Sequence, residues 1–470
     1  MSSEYNTENT ASACLGYNRC CMEEKEKPRK KISKSGKIAL IIMSIIVVLA
    51  LIGIALYQVP AIKRKVYPYV TIYKARIVYF FKPPSKTTFD PSVNTTMDAG
   101  VIATLTAMAP TATPSPEPTN TSEPAQATET LIPVEPTATP TPTEIPAQVS
   151  LEGIVQEYQR FNSCGPTNLA LALRYWGWEG EPIDIEKVIK PTLADLNVTP
   201  HEMLYYIQNH TELNALIRYG GDLELLKKFV AAGFPVLIER GYINRDSQRE
   251  GGWMGHYGVI DAYDDERGAV HIPDTFNGYI WVNYERLQSD WDEFAGTYLL
   301  IFEPEDEAKI LSLLGEQADP AYNLDYTLDK FRTKLENSER HEQYFIWYTL
   351  GELLVMKKDY VEAAKAFDEA FAVYGWLPLD DRPWRMLWYQ VGPYEAYYYT
   401  GRYDDVVSLA YKTVTDASEP ALPETFLWSA RAQIKKGNIG TATFELKRAL
   451  QYHPGWEPAL AELKALGVEP

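Results

Sequence analysis

Residues 38–57, IALIIMSIIVVLALIGIALY, form an apolar run of 20 residues without a charged side chain. As a helix that rises 1.5 Å per residue, a run of this length crosses the roughly 30 Å hydrocarbon core of a bilayer. A cleavable signal peptide has a shorter apolar stretch of about 7–15 residues, and no small-residue cleavage site follows this run. We therefore predict a single transmembrane helix at 38–57, retained as an anchor in the membrane.

Positive charges flank the apolar run. The polar leader of residues 1–37 has eight Lys and Arg in its second half, whereas a cluster of three follows the run at residues 63–65. Because Lys and Arg are concentrated on the cytoplasmic side of membrane spans, this modest bias places the leader in the cytosol. The chain is thus expected at the cell membrane, as a single-pass protein with extracytoplasmic C-terminal domains.

Two segments separate the apolar run from the rest of the chain. Residues 58–82 contain Lys74 and Arg76 near their centre, where each charge would cost a second span about 2.5–3.5 kcal/mol, so a juxtamembrane segment is favoured. Residues 83–148 are rich in Pro and Thr, as in TATPSPEPTNTSEP. This composition has too little apolar surface to offset the entropy of ordering, and it predicts a disordered stalk.

The charge of the chain is unevenly distributed. Residues 1–82 have 14 Lys and Arg against 5 Asp and Glu, although the whole chain has a net charge of −18. The part beyond residue 82 is therefore strongly acidic, which argues against nucleic acid as a partner.

Cys164 is the one cysteine of the four that lies beyond the predicted span, since Cys14, Cys20 and Cys21 are in the leader. It stands in RFNSCGPTNLALALRYWG, where Pro166 is compatible with the first turn of a helix that begins at the cysteine. The N–H groups and the dipole of a helix N-terminus favour a thiolate at that position. This cysteine has two interpretations: it is a nucleophile, or it is a small buried residue at the start of a helix.

A cysteine nucleophile needs a base, and His256 is the histidine that the sequence favours. GHYGVIDAYDDERGAVHIPD predicts a β-hairpin, with a strand from about His256 to Tyr263, the turn DDERG and a return strand from about Ala269. Residues equidistant from the turn face each other, so Asp274 should lie near His256 and orient its imidazole toward the thiol. His271 mirrors position 259 and has no such acid.

Gln159 lies five residues before Cys164. Its amide can donate to an oxyanion together with a main-chain N–H at the helix start, and an exposed loop glutamine is the alternative. No spacing of His and Cys matches a zinc site, and the acidic turn residues 264–266 match no calcium loop. We therefore expect neither a metal nor another cofactor.

Three segments together resemble a known family: YQRFNSCGPTNLALALRYWGW, GHYGVIDAYDDERGAVHIPDTF and WDEFAGTYLLIFEP. They are similar to the domain of the bacteriocin-processing (double-glycine leader) cysteine peptidases and their stand-alone relatives, which has a papain-like α+β fold. The resemblance covers about residues 147–304, and we place a papain-like cysteine peptidase domain at 149–304.

The resemblance implies a role for four residues, with Cys164 as nucleophile, His256 as general base and acid, Asp274 as orienting residue and Gln159 as oxyanion donor. The exporters that carry this domain also have a phosphate-binding loop, but no G-x-x-x-x-G-K-[ST] sequence is present in this chain. The chain therefore resembles the stand-alone group, and we do not infer a preference for double-glycine sequences.

Residues 344–470 predict an all-α domain of tetratricopeptide helical repeats. YFIWYTLGELLVMKKDYVEAAKAFDEAF follows the W-x2-L-G, Y, A, F, A spacing, and two looser copies come after it. Residues 305–343 are expected to form a connecting helical segment. Stacked hairpins of this kind can form a groove for a peptide or a protein partner, or they can be a structural extension that stabilises the peptidase domain.

The sequence thus predicts a membrane-anchored extracytoplasmic cysteine peptidase, an amide hydrolase that acts on a peptide or protein substrate through a Cys-His-Asp triad. Two alternatives remain. An acyltransferase would pass the acyl group of a Cys164 thioester to an amine. A non-catalytic surface scaffold would recruit a partner through its repeats.

Overall fold

The computed structural model describes residues 34–86, 88–91, 145–244 and 252–470. The chain divides into two units, Met1–Lys65 and Val66–Pro470. In the first unit the described residues form helix α1, Lys34–Tyr57, and the start of helix α2, Pro60–Phe81.

Helix α1 contains the segment 38–57 that we predicted to span a membrane. The segment is helical, but no helix among the described residues is long and apolar enough to cross a membrane. The prediction of a transmembrane helix is therefore not supported. The leader up to residue 33 and residues 92–144 of the predicted stalk lie outside the described residues.

In the second unit, the segment that follows α2 packs against helices from the C-terminal part of the chain. Ser85 Oγ donates to Asp416 Oδ1 over 2.8 Å. Phe89 is buried against Phe371, with ring centroids 5.0 Å apart. The described residues of 83–91, where the sequence predicted the start of the stalk, are therefore held by specific contacts.

The described part of residues 145–302 forms an α+β domain that contains two four-stranded sheets and a buried helix. The strand orders are β1-β5-β6-β7 and β2-β8-β3-β4, and the paired strands are antiparallel. The strands are β1 (Gln148–Ser150), β2 (Asn214–Arg218), β3 (Val236–Asn244), β4 (Gly252–Ile260), β5 (Ala262–Asp264), β6 (Ala269–Asp274), β7 (Gly278–Asn283) and β8 (Tyr298–Phe302). The helices are α3 (Cys164–Tyr175), α4 (Pro182–Ile189), α5 (Pro200–His210), α6 (Leu223–Ala231) and α7 (Tyr284–Asp292).

Helix α3 is the buried helix of this domain. Leu169 and Leu173 are fully buried in one hydrophobic cluster with Val259 of β4. Burying a side chain of this size contributes about 1.5–3 kcal/mol to folding. Gly177, just beyond the end of the helix, has a φ of +82°, a left-handed conformation that costs glycine little. The helix thus starts at the cysteine and ends near the glycine, as predicted.

The predicted hairpin from His256 onward is divided between the two sheets. Strand β4 ends at Ile260 in one sheet, and β5 begins at Ala262 in the other. The hairpin ladder therefore joins β5 to β6 and places His271 opposite Ala262, so the predicted register is wrong. The prediction that His271 lacks an acid is also wrong, because its Nδ1 lies 2.7 Å from Asp261 Oδ1. A strand that changes sheets keeps its alternating pattern, so the sequence does not reveal the crossing.

Helices follow from residue 307 to the end of the chain. They are α8 (Glu307–Leu314), α9 (Pro320–Leu335), α10 (Arg340–Met356), α11 (Tyr360–Trp376), α12 (Gly392–Tyr399), α13 (Tyr403–Asp416), α14 (Pro423–Lys435), α15 (Ile439–Tyr452) and α16 (Glu457–Ala465). We refer to residues 320–465 as the helical array. A long connection, residues 377–391, joins α11 to α12 and contains a short 3₁₀ turn at Met386–Trp388.

Three hairpins of the helical array, α10–α11, α12–α13 and α14–α15, share one turn geometry. Each has a three-residue connection whose middle residue has a positive φ, which is 62° at Lys358 and 78° at both Gly401 and Gly437. Gly351 allows α10 to approach α11 closely, because a Cβ there would lie 2.5 Å from the ring of Phe367. The hairpins therefore repeat one main-chain unit with close helix packing, as stacked helical repeats do.

Candidate active site

Cys164 is the first residue of α3, and its side chain is partly exposed. The side chain of Ser163 does not cap the helix, so the positive end of the helix dipole acts on the thiol. Burial raises the pKa of the Cys164 thiol, but the hydrogen bond and the charge of His256 lower it. The charge of Lys190 and the main-chain N–H of Tyr257 add to this effect, and the net pKa of the thiol is lowered. The site therefore favours the thiolate.

His256 lies on β4 between the thiol and a carboxylate. Its Nε2 is 3.1 Å from Asp274 Oδ2, so Nδ1 is the ring nitrogen that hydrogen-bonds Cys164. Burial lowers the pKa of the imidazole, but the Asp274 carboxylate and the Cys164 thiolate outweigh burial and raise the pKa of His256 to about 9. The two shifts together favour a thiolate–imidazolium pair.

Asp274 is the last residue of β6 and is fully buried. Its Oδ1 accepts hydrogen bonds from the main-chain N–H groups of Phe276 and Asn277 over 2.9 and 2.7 Å, which leaves Oδ2 for His256. Burial raises the pKa of this carboxyl, but the charges of His256 and Arg240 outweigh burial and hold the pKa well below its usual range. Asp274 is therefore ionised next to the imidazole.

The structure brings these three side chains together by a route that differs from the predicted ladder. Strands β4 and β6 belong to different sheets and pack face to face. Gly258 allows this approach, because a Cβ there would lie 3.2 Å from Ile272 Cγ2. His256 and Asp274 thus meet across the contact between two sheets, not across a pair of hydrogen-bonded strands.

Gln159 is tied to the segment that follows Asp274. Its main-chain N–H donates to Thr275 O over 2.8 Å, and Thr275 Oγ1 donates to Gln159 Oε1 over 2.7 Å. Asn168 Nδ2 lies 3.1 Å from Thr275 Oγ1 and also donates to Cys164 O over 2.9 Å. The chain of contacts holds the amide oxygen of Gln159, so its N–H₂ group is the part of the side chain suited to donate to an oxyanion.

The loop between Gln159 and Cys164 is anchored on α4 and the residue that follows it. Arg160 Nη2 donates to Glu186 Oε2 over 2.7 Å, and the Ser163 hydroxyl donates to the same carboxylate. Lys190 Nζ donates to the carbonyl of Asn162, a non-glycine residue with a φ of 51°. These contacts hold the loop in the strained conformation that presents the thiol.

Sequence reasoning missed Arg240, which lies opposite His256 in the β3–β4 ladder and is buried. Its Nη2 donates to Asp274 Oδ2 over 3.1 Å, and its Nη1 lies 3.5 Å from Asp290 Oδ2. Asp274 thus bridges two positive groups. A signal was present, since β3 reads VLIERGYIN and places two charged residues, Glu239 and Arg240, after an apolar run.

Sequence reasoning also missed Asn168, Thr275 and Lys190. Asn168 lies one helical turn after Cys164, and Thr275 follows Asp274 directly. Both residues could therefore have been found by looking at the sequence neighbours of the predicted site residues. Lys190 is far from Cys164 in the sequence, and no spacing pointed to it. Among the residues that the structure describes, no group of three or more His, Cys, Asp or Glu side chains is arranged to hold a metal ion.

This arrangement has the parts that nucleophilic catalysis by a thiol requires. A thiol with a lowered pKa is in contact with a histidine, a buried carboxylate orients that histidine, and an amide donor lies on the loop before the cysteine. The same parts suit attack on a carbonyl carbon, with the imidazolium available as a proton donor.

Comparison with solved structures gives low similarity. A putative C39-like peptidase from Bacillus anthracis is 17% identical and has a TM-score of 0.27, and the match covers 33% of this chain and 96% of that chain. A double glycine motif protease from an AMS/PCAT transporter in complex with the leader peptide is 18% identical, with a TM-score of 0.24 and coverage of 33% and 98%. Xylellain, a cysteine protease from Xylella fastidiosa, is 17% identical, with a TM-score of 0.27 and coverage of 34% and 87%.

No curated protein matches this chain. The model of the Peptidase_C39 like family matches residues 145–299, which include all four predicted site residues. This match agrees with the α+β architecture of the same residues. Residues 145–299 are thus similar to the Peptidase_C39 like family, and this similarity supports a papain-like cysteine peptidase domain at the level of the family.

Proposed function

We propose that the domain at residues 145–302 hydrolyses amide bonds in a peptide or protein substrate, with Cys164, His256 and Asp274 as a catalytic triad. The contact of the Cys164 thiol with His256, backed at 3.1 Å by Asp274, is the observation that carries this proposal. The family match supports the reaction class but not a particular substrate.

The proposed reaction begins with attack of the Cys164 thiolate on the substrate carbonyl carbon. The C–S bond forms while the carbonyl electrons move to the oxygen, and Gln159 with a main-chain N–H at the start of α3 donates hydrogen bonds to this oxyanion. The imidazolium of His256 then gives its proton to the leaving amine as the C–N bond breaks. Water, deprotonated by His256, hydrolyses the thioester and restores the thiol.

The charge of His256 sets the pH range of this reaction. The thiolate–imidazolium pair is populated above the lowered pKa of the thiol and below the pKa of His256, which is about 9. Above that pH the imidazole is neutral and cannot protonate the leaving amine. We therefore expect a bell-shaped rate profile whose falling limb lies near pH 9, as a property of the coupled pair.

Alkylation by iodoacetamide tests the central contact. In the full chain, the alkylation rate of Cys164 should rise well below the pKa of an unperturbed thiol, which is about 8.5. His256→Ala should abolish this early rise. Mass spectrometry of the Cys164 peptide separates it from Cys14, Cys20 and Cys21, which serve as comparison thiols in the same sample. An ordinary thiol profile at Cys164 would favour a non-catalytic scaffold.

The proposal extends to the helical array, which we assign to tetratricopeptide-like repeats that bind a peptide or protein. Its support is a cavity of about 320 Å³ lined by aromatic and charged side chains, namely Tyr398, Tyr399, Tyr403, Arg431, Lys435 and Glu462. Tyrosine rings offer stacking surface. Arg431 donates to Glu462 Oε1 over 2.7 Å, and Lys435 adds a further positive charge that favours an acidic group. An acidic peptide segment is therefore the ligand that this cavity suits.

A charge reversal at the cavity tests this assignment. Lys435→Glu should raise KM for fluorescein-labelled casein, an acidic unfolded protein, while the alkylation profile of Cys164 stays the same. Lys447→Glu is the matched control, because Lys447 is an exposed lysine of the same array and does not line the cavity. An equal rise of KM in both variants would indicate a general effect of charge and contradict the assignment.

A further inference from the structure

The open edge of β4 connects the candidate active site to the helical array. Strand β4 is the outer strand of its sheet and pairs with β3 on one side. The main-chain groups of alternate residues, Trp253, Gly255 and Tyr257, point to the other side, where the described part of the chain places no strand. An exposed edge of this kind needs other partners for its N–H and C=O groups.

The active site provides the partners for the last of these residues. The main-chain N–H of Tyr257 hydrogen-bonds the Cys164 thiolate, and Asn168 Nδ2 donates to Tyr257 O over 3.1 Å. His256 stands between Gly255 and Tyr257 on the same strand. The position of β4 along its axis therefore decides where both thiolate partners, the imidazole and this N–H, are placed.

The helical array provides the partners for the first two residues, both through the connection 377–391. Arg385 is buried and its Nη1 donates to Trp253 O over 2.9 Å. The phenol oxygen of Tyr389 accepts a hydrogen bond from the main-chain N–H of Gly255. A Cβ on Gly255 would lie 3.0 Å from the Tyr389 ring, so glycine is required for this approach.

Ring packing makes the contact rigid. Trp253 is buried between the α+β domain and the helical array. Its ring is stacked on Phe294 at a centroid distance of 5.6 Å. It also contacts the rings of Phe345 and Tyr389 of the array, at centroid distances of 5.6 and 5.8 Å. Its Nε1 donates to Glu293 Oε2 over 2.7 Å. Such a cluster does not slide without loss of contacts, because protein interiors are closely packed.

We infer that Arg385 and Tyr389 of the helical array close the edge of β4 and are positioning residues of the peptidase site, acting on Cys164 through the main chain at 253–257. The inference rests on the proposed role of Cys164 as nucleophile. Both residues lie outside 145–299, the part that matches the family model, so the catalytic centre of this protein extends beyond that part. Burial raises the pKa of the Tyr389 phenol and the Cys164 thiolate adds to this, which agrees with their proximity.

The test compares the pH dependence of Cys164 alkylation in the full chain and in variants that remove one edge contact each. Tyr389→Phe keeps the ring and deletes the acceptor for the Gly255 N–H, and Arg385→Met deletes the donor to Trp253 O. Both should slow alkylation at pH 6 by about tenfold and move its rise to higher pH, since small displacements at a reacting centre are costly. Arg385→Lys, which keeps a donor, should recover most of the rate.

Tyr411→Phe is the matched control, because Tyr411 is an exposed tyrosine of the array, and it should leave the profile unchanged. A lower melting temperature with an unchanged profile in Tyr389→Phe and Arg385→Met would show a purely structural contact and overturn the inference, with the proposed function intact. An ordinary thiol profile in the unaltered chain would overturn the proposed function and this inference together.

Discussion

Replacing Asp274 by asparagine removes one charge and retains the shape of the side chain. The main-chain N–H groups of Phe276 and Asn277 hold Oδ1 as an acceptor, so the new amide nitrogen must take the place of Oδ2. There it faces His256 Nε2 at 3.1 Å and the donor Nη2 of Arg240 at 3.1 Å. His256 Nε2 must then accept a hydrogen bond, which moves the proton of the neutral imidazole to Nδ1, the nitrogen on the side of the thiol.

The expected size of this effect follows from the pKa of His256. It is about 9 in the folded protein, against about 6.5 for an unperturbed histidine, and one pKa unit is worth about 1.4 kcal/mol. The surroundings thus favour the imidazolium by roughly 3 kcal/mol despite burial, and Asp274 makes the largest favourable contribution. Without this charge, an ordinary thiol of pKa about 8.5 would be about 0.3% thiolate at pH 6, so alkylation there should fall on the order of 10²-fold.

The assay is the rate of iodoacetamide alkylation of Cys164 between pH 5 and pH 10, read from the mass of its peptide, in chains shown to be folded by circular dichroism. Asp261→Asn is the matched control, because Asp261 pairs with His271 over 2.7 Å in the same domain without contact to the thiol. We expect the Asp261 variant to behave like the unaltered chain. An unchanged profile in folded Asp274→Asn would refute the assignment of Asp274 as the residue that charges His256.

Three further predictions concern the oxyanion donor, the buried ion pair and the location of the protein. Gln159→Ala should slow hydrolysis by about 10²–10³-fold and leave alkylation of Cys164 nearly intact; loss of alkylation would indicate a structural role. Arg240→Met should lower the free energy of unfolding by about 3–5 kcal/mol in urea denaturation, because it leaves the buried Asp274 carboxylate without its second cation; a change below 1 kcal/mol would contradict this. Protease added to intact cells should cut the Pro/Thr-rich segment, so that a denaturing gel shows a fragment containing residues 145–470; complete protection would contradict the expectation of an extracytoplasmic location.

Local patterns explain what could be predicted of the candidate site. The helix that starts at Cys164 follows from its apolar spacing and from Gly177 beyond its end, both of which act within a few residues. The proximity of His256 and Asp274 was predicted although the register was wrong, since the turn DDERG returns the chain toward β4 whether or not β6 pairs with it. A turn limits how far apart its two arms can lie, but it does not decide which strands share hydrogen bonds.

The contacts that charge and hold the thiol could not be predicted in the same way. Arg240 reaches Asp274 from a strand 34 positions away, and Lys190 reaches the Cys164 loop from the end of α4. Each contact depends on how sheets and helices pack, and many side chains of the same type are exposed elsewhere in the chain. Only burial in the folded protein separates the charges that act on the site from those on the surface.

By itself, the amino-acid sequence determined where the helix of Cys164 begins and ends, and that the C-terminal part is helical, because periodicity and turn residues act over short distances. The tertiary structure alone decided that the chain passes from one sheet to the other at Asp261, between β4 and β5. It also decided that Asp274 lies between His256 and Arg240, and that the helical array covers the edge of β4. These features arise from the packing of segments that are distant in the chain, where close fit and burial, and not local conformational preference, select one arrangement.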